Sequence, residues 1–298
     1  MRTRFPPDRP LTARMLLTVF LLGLVYAAFI AVLFVLLKSV VVVVVIAAAL
    51  LGAQYFFSDR IALTAMRARI VTEEEEPRLH GIIDRLCATA DMPKPRVAVA
   101  DTDMPNAFAT GRNTRRAVVC VTTGMLRRLD TAELEGVLSH ELSHVAHRDV
   151  AVMTVASFLG VLAGLVARFS LYSGMLGRGR RDQTVLVILA VSVISMVVYA
   201  ISFLLVRALS RYRELAADRS GAMLTGRPSA LASALTKVSG DLARIPTRDL
   251  RSVEAFNAFF FAPALGSGLS SLLSTHPSLQ TRIDRLGELS AELGEPAR

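Results

Sequence analysis

Residues 140–144 read His-Glu-Leu-Ser-His. On a helix of 3.6 residues per turn His140 and His144 lie one above the other, close enough for both rings to reach one Zn2+ at about 2.0–2.1 Å. Glu141 is rotated by about 100° from His140. That leaves its carboxylate beside the ion, placed to take a proton from a water that the metal activates. It reads as a base and not as a ligand. Structural helices carry the same five-residue pattern, so the flanks decide.

Upstream, Asp130-Thr131-Ala132-Glu133 offers an N-cap with a glutamate three residues on, and Leu134, Val137, Leu138 and Leu142 form an apolar stripe at helical spacing. The motif therefore belongs to a helix. His147 returns to nearly the same face but lies about 10.5 Å along the axis from His140, too far to share one ion. The extended motif that recruits a third histidine folds the chain back at a glycine, whereas Arg148, Asp149 and Val150 follow here. His147 is expected at the surface or behind the ligands. A catalytic zinc takes three protein ligands and keeps an open position. The best third candidate is Glu214, in the run from Ser210 to Asp218. Glu214 and Asp218 share a helix face at i and i+4, so one can ligate while the other accepts a hydrogen bond from a ligating imidazole. The same spacing also suits a solvated helix face.

The 298-residue chain is 53% hydrophobic, and its mean hydropathy of +0.48 points to a membrane protein. Thr12 to Leu37 contains one apolar span, uncharged from Met15 to Leu37, and Ser39 to Phe57 contains another, with Lys38 between them. Each is close to the roughly 20 residues needed to cross a bilayer, which makes a tight hairpin. Arg2, Arg4, Arg9 and Arg14 precede it and Arg60, Arg67 and Arg69 follow. Both flanks, and the segment from Ser58 to Asp149, should face the cytoplasm.

Two further apolar stretches, Val150 to Ala167 and Thr184 to Val206, lie between the histidines and Glu214. The ligands must meet, so these stretches form either a hairpin that crosses and returns or one that never crosses. Gly160 and Gly164 allow the first to pack closely on a neighbour. Arg178, Arg180 and Arg181 in the connecting loop oppose the positive-inside rule if it crosses, while Arg168 can snorkel to the interface. The expected organisation is a transmembrane hairpin in 1–57, catalytic segments in 58–149 and 207–298, and the second hydrophobic hairpin in 150–206.

The net charge of +9 could suggest nucleic acid, but the arginines cluster beside the apolar stretches and no nucleic-acid-binding signature occurs. The lipid bilayer, with its anionic headgroups, is the simpler partner. Only three of the 34 basic residues are lysines, Lys38, Lys94 and Lys237, an arginine bias that suggests a GC-rich bacterial source. Cys87 and Cys120 have no metal-ligand spacing and read as reduced, structural residues. Thr72 is expected to cap a helix whose first turn holds Glu73 to Glu76. Strands are expected at Arg96–Ala100, Asn106–Thr110 and Ala117–Val121, and helices at Ser229–Ala243 and Leu279–Leu293. The segment 245–274 is left as a cover over the cleft. The fold class is α+β: a mainly helical catalytic domain with a small β-sheet, plus two to four transmembrane helices.

Several separated segments carry a resemblance: Met104 to Gly111, Val121-Thr122-Thr123-Gly124, Leu138 to Asp149, Arg211 to Gly221, and Ser274-Thr275-His276-Pro277. In order and spacing the chain resembles the HtpX-type membrane zinc endopeptidases, in the same superfamily as the CAAX prenyl proteases, from about residue 10 to 287. The resemblance implies a zincin-like catalytic domain with one Zn2+ per chain held by His140, His144 and Glu214. Glu141 would be the base and Asp218 a partner behind the ligands. The segment Asn106, Ala107, Phe108, Ala109 would be an edge strand that pairs with an extended substrate. His276 would donate to the oxyanion of the tetrahedral intermediate. Arg282 matches a basic family position, although it reads as a surface arginine on a C-terminal helix. Ser278 stands where the family commonly has a second proline, which affects the shape of that turn.

The implied protein is a multi-pass enzyme of the bacterial plasma membrane with a cytoplasmic catalytic domain. It would cleave misfolded or damaged membrane proteins in envelope quality control and stress response, alongside other quality-control proteases. A CAAX prenyl protease would need more spans than this chain supplies. A non-catalytic scaffold with a structural zinc would have no need of Glu141.

Overall fold

The computed structural model describes residues 9–36, 40–176, 182–244 and 276–294. The Lys38 turn, the loop with Arg178, Arg180 and Arg181, and the expected cover at 245–274 fall outside those residues. Four long helices, α1 (Arg9–Leu36), α2 (Val40–Ala65), α6 (Asp149–Leu176) and α7 (Asp182–Thr225), account for the apolar stretches. Their sequences are apolar on every side, as suits helices surrounded by protein and lipid. Among the described residues, Arg9–Val32 and Leu186–Thr225 are long and apolar enough to cross a membrane. Their outer faces leave Leu16, Phe20 and Leu24 on α1, and Leu186, Leu189, Val193 and Leu204 on α7, exposed.

Helix α6 runs along α7, α1 packs on α7, and α2 packs on α6. The glycine pair on α6 does face a neighbour: a methyl added at Gly164 would touch the Tyr199 ring of α7 at 3.6 Å. Leu22 of α1 meets Ala156 and Leu209, whereas Phe29 meets Leu162, Val166 and Val191. The N-terminal end of α1 therefore lies at the end of α7 that continues beyond the apolar stretch. That continuation is unbroken, for α7 is one helix of 44 residues that carries Glu214 and Asp218 past Val206.

The remaining elements are β1 (Ala68–Ile70), α3 (Pro77–Ala90), β2 (Arg96–Ala100), β3 (Ala107–Thr110), β4 (Val118–Thr122), α4 (Thr123–Arg128), α5 (Thr131–Ala146) and α8 (Pro228–Arg244), followed by Leu279–Glu292, here α9. The sheet order is β1-β2-β4-β3, with β2 and β4 parallel and the outer pairs antiparallel. Its strands alternate between two cores. Val97, Val99, Val119 and Val121 pack towards α3 and α5, while Ala98, Phe108, Val118 and Cys120 pack against Ala62 at the end of α2. Both cysteines are buried and unbridged, and burial raises Cys120 to about 12, which keeps it a thiol.

Two local expectations need correction. Strand β1 is an additional edge strand. The helix expected from Glu73 begins instead at Pro77, with Glu76 as its N-cap in a non-helical conformation (φ −134, ψ 64), because proline disfavours helical backbone in the residue before it. Glu75 instead accepts a hydrogen bond from Thr72 N and pairs with Arg69. The expected cap of α5 is present in full: Asp130 accepts from Glu133 N, and the Glu133 side chain accepts from Asp130 N.

Candidate metal centre

Helix α5 buries its apolar stripe of Leu134, Leu138 and Leu142 in the main core and turns His140, Glu141 and His144 towards α7. The two helices approach closely because α7 presents Gly221 to the backbone of α5. A Cβ there would lie 2.8 Å from His140 N, so any larger residue would push α7 away. Three residues earlier on α7 stands Asp218, and four before that Glu214. The Nε2 atoms of His140 and His144 are 3.1 Å apart. Glu214 Oε2 is 3.8 Å from the first, and Oε1 is 3.4 Å from the second. One donor atom from each of His140, His144 and Glu214 falls within 4.8 Å of the others, a group able to hold a metal ion.

The rings are turned by what binds their other nitrogens. His140 Nδ1 lies 2.9 Å from Asp218 Oδ1. Asp218 is gripped in turn by Arg282, whose Nε and Nη2 donate at 2.7 and 2.6 Å. His144 Nδ1 lies 2.5 Å from Asp149 Oδ2, and Arg213 donates to the same oxygen at 2.7 Å. Each imidazole thus presents Nε2 inward and has its tautomer fixed by a carboxylate behind it, the arrangement a divalent ion favours. The donor set of two imidazoles and a carboxylate fits zinc.

Burial and charge act differently on these groups. Burial pushes Glu141 up to about 7, helped by the nearby Glu214 and opposed by His144 and by the N–H of Ala109, which donates to it. Burial also pushes both histidines down, and at His140 it prevails over Asp218. At His144 the bonds to Asp149 and Glu214 prevail and raise it to about 10. Burial alone would raise Asp149 and Glu214. Arg213 and His144 hold Asp149 at about 2, and His276 and His144 hold Glu214 well below its ordinary value.

Strand β3 lies at the sheet edge nearest α5. Thr122 N donates to Asn106 O, so by antiparallel alternation Asn106, Phe108 and Thr110 turn their backbone groups to β4 while Ala107 and Ala109 turn theirs outward. The Ala109 contact with Glu141 confirms that direction. The Phe108 side chain belongs to the core beneath α2. A narrow cleft runs from Ala109 and Gly111 to His144 and Arg148.

His276 is brought to the site, its Nδ1 2.9 Å from Glu214 Oε2. His147 caps α5 at the surface, with Nδ1 3.2 Å from Ser143 Oγ, and is not in the metal-holding group. Arg282 corrects the sequence reading: it is 1% exposed rather than on the surface. Burial lowers an arginine, yet Asp218 outweighs that and raises it further. Asp149 and Arg213 received no role from the sequence. A carboxylate five residues after the second histidine, in the first turn of the next helix, was the available signal.

Residues 73–290 match the model of peptidase family M48. "Protease HtpX homolog 1" of Streptomyces coelicolor is 68% identical over 298 residues, spanning 99% of this chain and 98% of that protein. "Protease HtpX homolog" of Moorella thermoacetica is 52% identical over 301 residues, 99% of each. The crystal structure of S. mikatae Ste24p shares the fold, with a TM-score of 0.54 at 17% identity over 94% of this chain and 66% of that one.

Proposed function

Because the chain belongs to peptidase family M48, as a membrane metalloprotease of the HtpX type, we propose that it is a zinc endopeptidase whose catalytic side faces the cytoplasm. The observation that carries this reading is the convergence of His140, His144 and Glu214 beside Glu141. These three side chains would hold the ion. Zinc, when bound, polarises a carbonyl and lowers the pKa of water towards about 7.

The chain's own residues do the rest. An extended substrate pairs with the outward backbone groups of Ala107 and with the Ala109 carbonyl, the Ala109 N–H being engaged by Glu141, which lays a peptide bond across the cleft. Asn106 and Phe108 support that strand from the β4 side. Glu141 takes the proton of the attacking water as the new C–O bond forms, and delivers it to the amide nitrogen as the C–N bond breaks. Asp218 and Asp149 keep the ring nitrogens of His140 and His144 directed inward. His276 donates to the oxyanion of the attacked carbonyl; with Nδ1 engaged by Glu214, that donation comes from Nε2.

The catalytic domain is built from 58–149 and 207–298 around a second membrane hairpin at 150–206, with the first hairpin in 1–57. Arg14, Arg60, Arg148 and Arg207 mark where the four long helices leave their apolar stretches, and the packing of α1 places its N-terminal end beside Leu209. Basic residues at one end of all four helices support a cytoplasmic catalytic face and a multi-pass anchor in the bacterial plasma membrane. Such an anchor holds the cleft within reach of loops leaving the bilayer, which suits misfolded or damaged membrane proteins as substrates. Envelope quality control and stress response, shared with other proteases, are the matching cellular role.

The test is cleavage of an unfolded protein by detergent-purified wild type and Glu141→Gln, each with zinc or chelator. Zinc-dependent cleavage by wild type, slowed by about 10²–10⁴ in the variant, is expected for loss of a general base. Equal rates would remove Glu141 from the chemistry. Absence of cleavage by both, with one zinc bound per chain, would favour a scaffold.

A further inference from the structure

Away from the metal centre, a cavity of about 740 Å3 opens between the end of α2 and the turn that follows β3. Five arginines line it, Arg60, Arg96, Arg112, Arg115 and Arg116, against one carboxylate, Asp59. Asp59 is engaged by Arg96 at 2.7 Å. The other four arginines line a space with no lining carboxylate left to answer them. Two are poised on phenyl rings, Arg112 5.0 Å from the centroid of Phe56 and Arg60 5.9 Å from that of Phe57.

The turn is built rather than loose. Gly111 has φ +114, and a Cβ there would come within 2.5 Å of Arg116 O. Asn113 caps the short 3-10 turn Thr114–Arg116 through its side chain, and Tyr55 of α2 donates to Arg112 O at 3.1 Å. Phe56 and Phe57 are 57% and 49% exposed at the point where α2 changes from apolar to charged sequence. Tyr55, beside these phenyl rings, is of the residue type enriched at headgroup level, and basic pockets at that level suit acidic headgroups.

We propose that this cavity binds the phosphate of an anionic phospholipid headgroup, with Arg60, Arg112, Arg115 and Arg116 around the phosphate and the Phe56 and Phe57 rings beside the glycerol and acyl chains. The site rests on α2 leaving the bilayer near Phe57, part of the topology proposed above. It also lies one turn beyond β3, so a bound lipid steadies the strand whose Ala109 N–H reaches Glu141.

The test uses full-length protein in a neutral detergent, with bound lipid counted by native mass spectrometry during titration with phosphatidylglycerol or phosphatidylcholine. Wild type is expected to prefer phosphatidylglycerol. The triple variant Arg112→Gln, Arg115→Gln, Arg116→Gln should lose about a hundredfold of that preference, since each basic residue near an anionic surface contributes about fivefold. Lysine at the three positions should restore most of it. A control with the same charge loss, Arg85→Gln, Arg127→Gln, Arg227→Gln, should bind as wild type. The proposal is overturned if the two glutamine triples behave alike, or if inorganic phosphate displaces the lipid at equal concentration. A chain that stays monodisperse without detergent would overturn the membrane reading itself, whatever the lipid counts.

Discussion

The two histidines of the centre are supported by two arms of the same composition, imidazole to aspartate to arginine, that differ in one link: the aspartate follows its histidine closely in one arm and lies on another helix in the other, while each arginine is distant in sequence from its aspartate. Behind His144 stands Asp149, five residues away, held by Arg213 from α7. Behind His140 stands Asp218 of α7, held by Arg282 from α9, 64 residues further on. The near arm is set by the junction of α5 and α6, where Asp149 also sits in the first turn of a helix and gains from its dipole. The far arm is a tertiary bolt that ties α9 to α7 behind the metal site. The near arm leaves its imidazole charged without metal, and the far arm leaves its imidazole neutral.

The largest difference between the arms should be in stability. Arg282→Met leaves buried Asp218 without its two-point partner and should cost about 3–5 kcal/mol, the usual price of breaking a buried ion pair. Arg213→Met also breaks a buried ion pair, but the charged His144 still faces Asp149, so it should cost less, about 1.5–3 kcal/mol. Thermal unfolding of metal-free protein in detergent checks both, and equal losses would mean that the far arm is not the bolt.

A second test separates the base from either arm. The folded chain holds the Glu141 proton more tightly than the unfolded chain, since its value is raised from 4.5 to about 7. Stability of the metal-free protein therefore falls as pH rises across that window. Glu141→Gln removes the penalty, so it should stabilise the protein by about 3 kcal/mol at pH 8 and leave it unchanged at pH 4. The same gain at both pH values would show that charge is not the cause.

The smallest expected effects are in metal affinity. Asp218→Asn should weaken binding about 10–100-fold by releasing the His140 ring. Asp149→Asn should weaken it less at pH 7, because the lost orientation is offset by an imidazole that gives up its proton more easily. Correspondingly, metal uptake by wild type at pH 8 should release about one proton from His144, and Asp149→Asn should release fewer. Calorimetry in buffers of different ionisation heat measures both quantities.

The near and far arms also show what a sequence discloses. Helix α5 was legible because its stripe, cap and histidine spacing all obey one period. Asp218 was legible from its i+4 relation to Glu214. Arg282 was not, because an arginine on an amphipathic helix is buried only by what the helix packs against, and that partner is distant in sequence. Asp149 lies close in sequence but past the end of α5, where helical periodicity no longer says which way a side chain points. Strands β2, β3 and β4 were found within a residue of their ends, since their apolar runs are continuous. Strand β1 has three residues with an arginine at its centre and is created by pairing with β2 rather than by its own pattern. The continuity of α7 from the apolar stretch into the ligand segment was hidden by the change of composition at Arg207.

The most direct measurement is X-ray absorption at the zinc edge on zinc-loaded Glu141→Gln protein, paired with the zinc content of Glu214→Ala. The expected shell is two imidazole nitrogens and a carboxylate oxygen within about 2.0–2.2 Å, with zinc largely lost from Glu214→Ala. A sulfur at about 2.3 Å, a third imidazole, or full zinc content in Glu214→Ala would contradict the assignment of His140, His144 and Glu214 as the ligands.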